Sequence, residues 1–434
     1  MKRFIFLMMA LCLITPTITA TGKPEVPIEK PEKLVVWCNT VHESVTNGTS
    51  RGGANLTAEF EKLYDVKIEW VPLAWDQMLE KIQLELTVSQ GEPDVVFAVV
   101  DWATPAFLES FIDLSPYLKK NPIENMEDFS LGGINAFTLQ GGLRFVPYRS
   151  NVQLMHYNKD LFDMYGLKEP KTMEELGEAA KKMTHTRADG AKVYGLAFIG
   201  SQTPLEIIRA FGGDVVDSDG KYVLNSSETR KAIAFMKDLY VAGAIPPNFE
   251  SLTSANSRQL YVNGLIGMMF QGDNYYYQLN DSTKSGVAGK SWFASIPPSQ
   301  DKSQQPGNVK LALWGAGIPK NAKKNTNDMA YEFIKFFTSR TNQLEMALNG
   351  NSPSRSIVYE NEEYIKLAPY AEASLSSSPY AYPLIPAVNG IAEVMDAALE
   401  EISRAITGSK TIENALSDAS KKILSILKRE GIPQ

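Results

Sequence analysis

The chain has two cysteines and three histidines among 434 residues. That is too few for the usual structural or catalytic zinc sites. Cys12 falls in the N-terminal apolar run, so a processed chain keeps only Cys38, and one thiol makes no intramolecular disulfide. Cys38 is therefore expected as a buried small hydrophobe inside the strand Leu34–Cys38, and the core alone has to stabilise the fold. There is no Lys/Arg block, and the net charge is −7. Nucleic acid and anionic membrane surfaces need a cationic footprint, so neither is an expected partner. No His-Glu-x-x-His, P-loop or full dinucleotide fingerprint occurs. The expectation is a protein that is not an enzyme and has no cofactor or metal site. A glycosidase needs only two opposed carboxylates, and fifty acidic residues leave that alternative open. Internal repeats, coiled-coil heptads and long low-complexity segments are also missing.

What is present begins with an export signal at Met1–Ala20. Lys2 and Arg3 are its basic end, Phe4–Ile14 its apolar segment and Thr17–Ala20 its small-residue cleavage region, with cleavage expected after Ala20. The apolar run falls short of the about 20 residues that span a bilayer. Cys12 lies too early for a lipid anchor, and Leu11 before it is too large, so a periplasmic protein without lipidation is expected. The full sequence is 44% hydrophobic and 21% charged, as in soluble proteins, and long enough for two or three domains.

Thr21–Glu32, rich in Pro, Lys and Glu, reads as an extended leader. Leu34–Trp37 is a continuous apolar run, as a buried parallel strand requires. Leu56, Phe60, Leu63 and Tyr64 recur at helical spacing, Val66, Ile68 and Trp70 alternate, Trp75–Leu86 marks a second helix, and Asp94–Val100 a third strand. Strands alternating with helices predict an α/β fold with sheets covered on both faces. Further on, Thr172 and Glu175 have capping-box spacing. Strands are expected at Tyr194–Ile199, Gly264–Phe270, Ser291–Ile296 and Leu311–Ile318. Helices are expected at Glu206–Phe211, Glu228–Tyr240 and Asp328–Phe337, with two more after Ile391 and Thr411.

The stretch Gly141–Phe162, GGLRFVPYRSNVQLMHYNKDLF, reads as strand Leu143–Pro147, a polar kink at Tyr148–Asn151 and strand Val152–Tyr157. With DVVF…DW…FLESFIDLSPYL (Asp94–Leu118), GMMFQGD (Gly267–Asp273), WGAGIPKNAKK…AYEFIKFF (Trp314–Phe337) and YPLIP (Tyr382–Pro386), it resembles the extracellular solute-binding proteins of ABC importers, in their sugar-binding branch. The resemblance runs from about Lys33 to the C-terminus. It implies a two-lobed periplasmic-binding fold (type II) with an interlobe cleft. Lobe one would hold residues 33–148 and 311–354, and lobe two residues 152–306 and 358–434. The hinge crossings would lie near 148–152, 304–311 and 354–358.

Ligands of open sheets sit beyond the carboxyl ends of the strands. That rule selects Asn39, Thr40, His42, Asp101, Trp102, Ser201, Gln202, Asp273 and Asn274. Arg149 and Asn151 join them at the crossing; Trp314 with the bare Gly315 adds an aromatic and open backbone, and Trp75 a further ring. Carboxylates and amides suit paired hydroxyls, and aromatic rings suit the C–H faces of a sugar. Arg149 is either a hinge ion-pair partner or the holder of an acidic ligand. The branch's maltose binders carry a Lys in the loop after the first strand, where this chain has neutral groups and His42, and a Trp where it has Asn274. The resemblance therefore implies a different sugar or a derivative. It also implies a monomer that binds a sugar or polyol, closes and docks on ABC permease subunits. A ligand sensor for a membrane receptor, or a secreted glycan-binding or glycan-degrading protein, are the alternatives.

Overall fold

Strand β1, Lys33–Asn39, is buried from Leu34 to Cys38, as its unbroken apolar run demands. In the computed structural model, residues 30–217, 220–303, 309–383 and 388–432 are described, without the side chains of 75 and 76. The export signal, most of the leader, the 304–308 part of a crossing and most of YPLIP lie outside them.

Helix α1 (Thr40–Thr46) follows β1. Helix α2 (Leu56–Tyr64) leads to strand β2 (Lys67–Leu73), and helix α3 (Trp75–Glu85) to strand β3 (Val95–Val99). β1 lies between β2 and β3, parallel to both. Beyond β3 comes an antiparallel strand from far along the chain, Val309–Gly317, and beyond that the strand Phe145–Asn158.

The polar kink expected at Tyr148–Asn151 does not form: Phe145–Asn158 is one strand of 14 residues. Residues 149, 151 and 153 alternate onto one face, where their polar ends find polar neighbours, so the backbone has no reason to break. The irregularity is a bulge. Trp314 pairs with Arg149 and Gly315 with Pro147, which leaves Tyr148 without an opposite residue. Tyr148 is wholly buried, its ring 4.5 Å from Phe97.

This strand carries the chain between two bodies. Its first half, to Val152, pairs with Val309–Gly317, and its second half pairs with Ile266–Gly272 and Ser291–Ala294. The hydrophobic cores divide at the same point. One gathers residues such as Val36, Phe60, Phe97, Phe145, Leu313, Phe333 and Phe337. The other gathers Met155, Met183, Phe198, Ile233, Met236 and Met268, with Val394, Ile402 and Ile423. The last two helices, Ile391–Thr407 and Ile412–Arg429, thus return to the second core. The first of them stops at Gly408, whose φ of 82° suits a residue without Cβ. Val358, Tyr359, Tyr364 and Tyr370 form a smaller cluster with Leu154. Half of the capping box is present. Thr172 accepts from the Glu175 N–H, but the Glu175 carboxylate reaches the N–H of Lys171, one residue too early.

Candidate functional site

At the end of β1, Asn39 caps α1: its Oδ1 accepts from the Val41 N–H at 3.3 Å, and its own N–H donates to His42 Nδ1 at 3.2 Å. Thr40 is exposed at the helix start. His42 is fully buried, stacked on Phe97 at 4.7 Å and edge-on to Trp314 at 4.6 Å. Burial, then the nearby Arg149 charge, hold its imidazole well below the usual range, so it is neutral. Since Nδ1 accepts, the proton sits on Nε2, which is buried with no partner among the described residues.

β3 runs into a short turn that carries Asp101 and Trp102. Trp102 meets Trp314 edge-on at 5.8 Å, so His42, Trp314 and Trp102 form one aromatic row. Asp101 Oδ1 is buried without a partner among the described residues. Burial raises this carboxyl's pKa, while the positive charges of Lys310 and Arg209 oppose the rise. Arg209 lies on helix Thr203–Ala210 of the second core, so Asp101 faces across the divide.

The second side is built around Glu206 on the same helix. Gln153 and Gln202 both donate to its Oε1, at 2.8 and 3.1 Å, and Lys310 donates to Gln202 Oε1 at 3.0 Å. Glu206 Oε2 is buried without a partner among the described residues, and burial pushes the carboxyl up to about 7. Ser201 beside this group is exposed. The sequence reading passed over Glu206, Gln153 and Lys310. The available signals were a Glu four residues after Gln202 and a lone Lys in an apolar strand.

On the floor, Asn151 donates to Ser352 Oγ at 2.8 Å and to Asp273 Oδ1 at 3.5 Å, and Ser374 donates to Asp273 Oδ2 at 2.8 Å. Backbone N–H groups of Asn274 and Val152 also reach Asp273. Burial still raises it to about 7. Asn274 is partly buried, and its Oδ1 leaves no room for a Cβ on Gly272, which would stand 2.7 Å away.

Two of the expected residues act differently or cannot be placed. Gly315 is bare because the core needs it so: a Cβ there would stand 2.7 Å from Phe137 and 2.8 Å from Phe145. Gly315→Ala is expected to cost about 1–3 kcal/mol of stability in chemical denaturation; an unchanged midpoint would mean the rings yield freely. The Trp75 side chain lies outside the described residues. Otherwise the fold brings His42, Asp101, Trp102 and Trp314 from one body toward Arg149, Asn151 and Asp273 on the floor, and Gln202 from the other body.

A family model described as bacterial extracellular solute-binding protein matches residues 50–344. A probable amino-acid ABC transporter periplasmic-binding protein of Sinorhizobium fredii is 23% identical over 87% of this chain and 86% of its own length. A mannitol-binding protein of Pseudomonas aeruginosa is 24% identical over 87% of this chain and 91% of its own. Among solved structures, maltose-bound MalE3 of T. maritima superposes with a TM-score of 0.76 at 26% identity, covering 91% of this chain and 100% of that one. The two-lobed periplasmic-binding architecture is therefore shared. No helix among the described residues is long and apolar enough to cross a membrane.

Proposed function

This chain belongs to the family of bacterial extracellular solute-binding proteins, and from that premise we propose that it captures a sugar or polyol between two lobes and delivers it to an ABC permease. The lobes are taken as residues 33–148 with 311–354, and 152–306 with 358–434. One observation supports the polar ligand above others. Asp101 Oδ1, next in the chain to Trp102 of the Trp102–Trp314 pair, and Glu206 Oε2, on a helix of the second core, are buried acceptors without partners among the described residues. An unsatisfied buried acceptor is costly. Sugar hydroxyls can donate to both, and the indoles can cover C–H faces.

A ligand that touches both lobes only when they are shut stabilises the closed form by that difference in affinity. Small-angle scattering is expected to show compaction on ligand addition; an unchanged radius would count against closure. The protein acts as a binder, so oligosaccharides are expected back unchanged after incubation, and any product would overturn this. The export signal Met1–Ala20 is taken as cleaved and the mature protein as free of lipid, in the periplasm. This reading is tested by a thermal-shift screen over sugars, polyols, sugar acids and amino acids, because a ligand that binds only the folded state raises its melting point. Asp101→Ala is expected to lose about 1–3 kcal/mol of binding free energy by calorimetry. Wild-type affinity in that variant would remove Asp101 from the site.

A further inference from the structure

Three arginines are buried among the described residues, and two of them are ion-paired. Arg209 meets Asp214 at 3.0 Å and Arg355 meets Asp128 at 3.1 Å. Arg149 is only 6% exposed, yet no carboxylate among the described residues comes within 4.0 Å of its nitrogens. Its Nε donates to the neutral Asn151 Oδ1 at 3.3 Å, and Nη1 is buried with no partner among the described residues. The carboxylate that most offsets its burial is Asp273. That group is already committed to the Ser374 hydroxyl, the Asn151 amide and two backbone N–H groups. A buried guanidinium left this way is expensive. His42, whose ring lies 4.6 Å from that of Trp314, the residue paired with Arg149, offers in Nε2–H a second buried donor with no acceptor among the described residues.

Two orphan donors, one of them cationic, call for an anionic acceptor. The orphan acceptors Asp101 Oδ1 and Glu206 Oε2 belong to other parts of the same site and call for hydroxyl donors. Resting on the solute-binding reading above, we infer that the ligand is a sugar acid whose carboxylate docks on Arg149 and His42 while its hydroxyls face Asp101 and Glu206. Planar guanidinium and carboxylate match in two parallel bonds. A single negative charge fits better than a phosphate dianion, because Asp101, Glu206 and Asp273 already line the site with carboxyl groups, and among the described residues Lys310 is engaged by Gln202 while Arg149 keeps an orphan nitrogen. Arg149 is thus a specificity-determining residue, and the hinge ion pair is discarded as its role.

The test compares matched probes by calorimetry on the mature chain. Galacturonate, glucuronate and gluconate are set against galactose, glucose and sorbitol, with glucose 6-phosphate as the dianion. At least one acid is expected to bind about thirtyfold or more tightly than its neutral parent and than the phosphate. Arg149→Met is expected to lose about thirtyfold or more of that binding. Binding of the neutral parent is expected to fall by far less than binding of the acid. The ligand-free variant is expected to melt at or above the wild-type temperature, since it removes an unpaired buried charge. A neutral parent or the phosphate binding wild type as well as the acid would overturn the inference but leave the sugar-binding reading standing. So would acid binding unaffected by Arg149→Met. A ligand-free variant that melts several degrees lower would make Arg149 a structural residue and also overturn it. Failure of every sugar, polyol and acid to bind would overturn both readings.

Discussion

Arg355→Ala is expected to lower folding stability by about 3–5 kcal/mol, read as a drop in ΔG from urea or guanidinium unfolding. Arg355 has no exposed surface. Its Nε donates to the Thr338 carbonyl at 2.6 Å, Nη1 to the Asn125 carbonyl at 2.7 Å and to Asp128 Oδ2 at 3.1 Å, and Nη2 to the Glu124 carbonyl at 2.9 Å. The guanidinium also lies 4.2 Å over the Phe129 ring. Alanine would strand three backbone carbonyls, that of Thr338 fully buried and those of Asn125 and Glu124 partly so, at a desolvation cost, and leave Asp128 to Arg340 alone. The bonds tie the chain near the third expected crossing to the segment Glu124–Phe129. Arg355→Lys should recover only part of the loss, because a single ammonium cannot reach carbonyls on several sides of a planar fork. A loss below about 1 kcal/mol for the alanine variant would mean water replaces the side chain and the network is not a staple.

The second large effect is in the pH dependence of stability, isolated by comparing wild type with the double variant Glu206→Gln, Asp273→Asn. Burial raises both carboxyls to about 7. In the unfolded chain they ionise near pH 4. The native state therefore holds more protons than the unfolded state between those values. Stability from these two groups is complete below about pH 4 and is lost as pH rises toward 7. The slope reaches at most about 1.4 kcal/mol per pH unit for each group. His42 and His156 act in the opposite sense, since burial lowers both, His156 to about 4. They make the native state bind fewer protons than the unfolded chain, so their part of the stability grows as pH rises to about 6.5. The two trends partly cancel in the wild type. The histidines are common to both proteins, so the difference isolates the carboxyls. From pH 5 to 7 the double variant is expected to gain on wild type by up to about 3 kcal/mol per carboxyl. Parallel pH curves would show that both groups ionise near their ordinary values in the folded protein.

Much of this was legible in order along the chain. β1 to β3 with their helices, the two closing helices and the strand ends that deliver Asp101 and Asp273 all follow from apolar periodicity, which depends on neighbours a few residues away. The crossing strand was misread at Tyr148–Asn151 because a run of polar residues resembles a turn when only neighbours in sequence are considered. Two strands from elsewhere supply the backbone partners that keep it straight. Glu206 and Lys310 were missed for a related reason. One polar residue in an apolar element has no meaning until the element is packed, and Glu206 meets Gln153, and Lys310 meets Gln202, only once elements distant in sequence come together. Asn39 and Gly315 show the converse. Each was placed correctly at a strand, but the cap of α1 and the rings of Phe137 and Phe145 give them structural work that the linear pattern did not reveal.

By itself, then, the amino-acid order determined the α/β class, the alternation of strand and helix and the polar character of the strand ends, because burial along one element is set by its own periodicity. Only the tertiary structure decided that Arg149 and His42 are left as donors and Asp101 and Glu206 as acceptors. Whether a buried polar atom has a partner depends on groups far away in sequence, and it is settled only when the two cores and the strand between them come together.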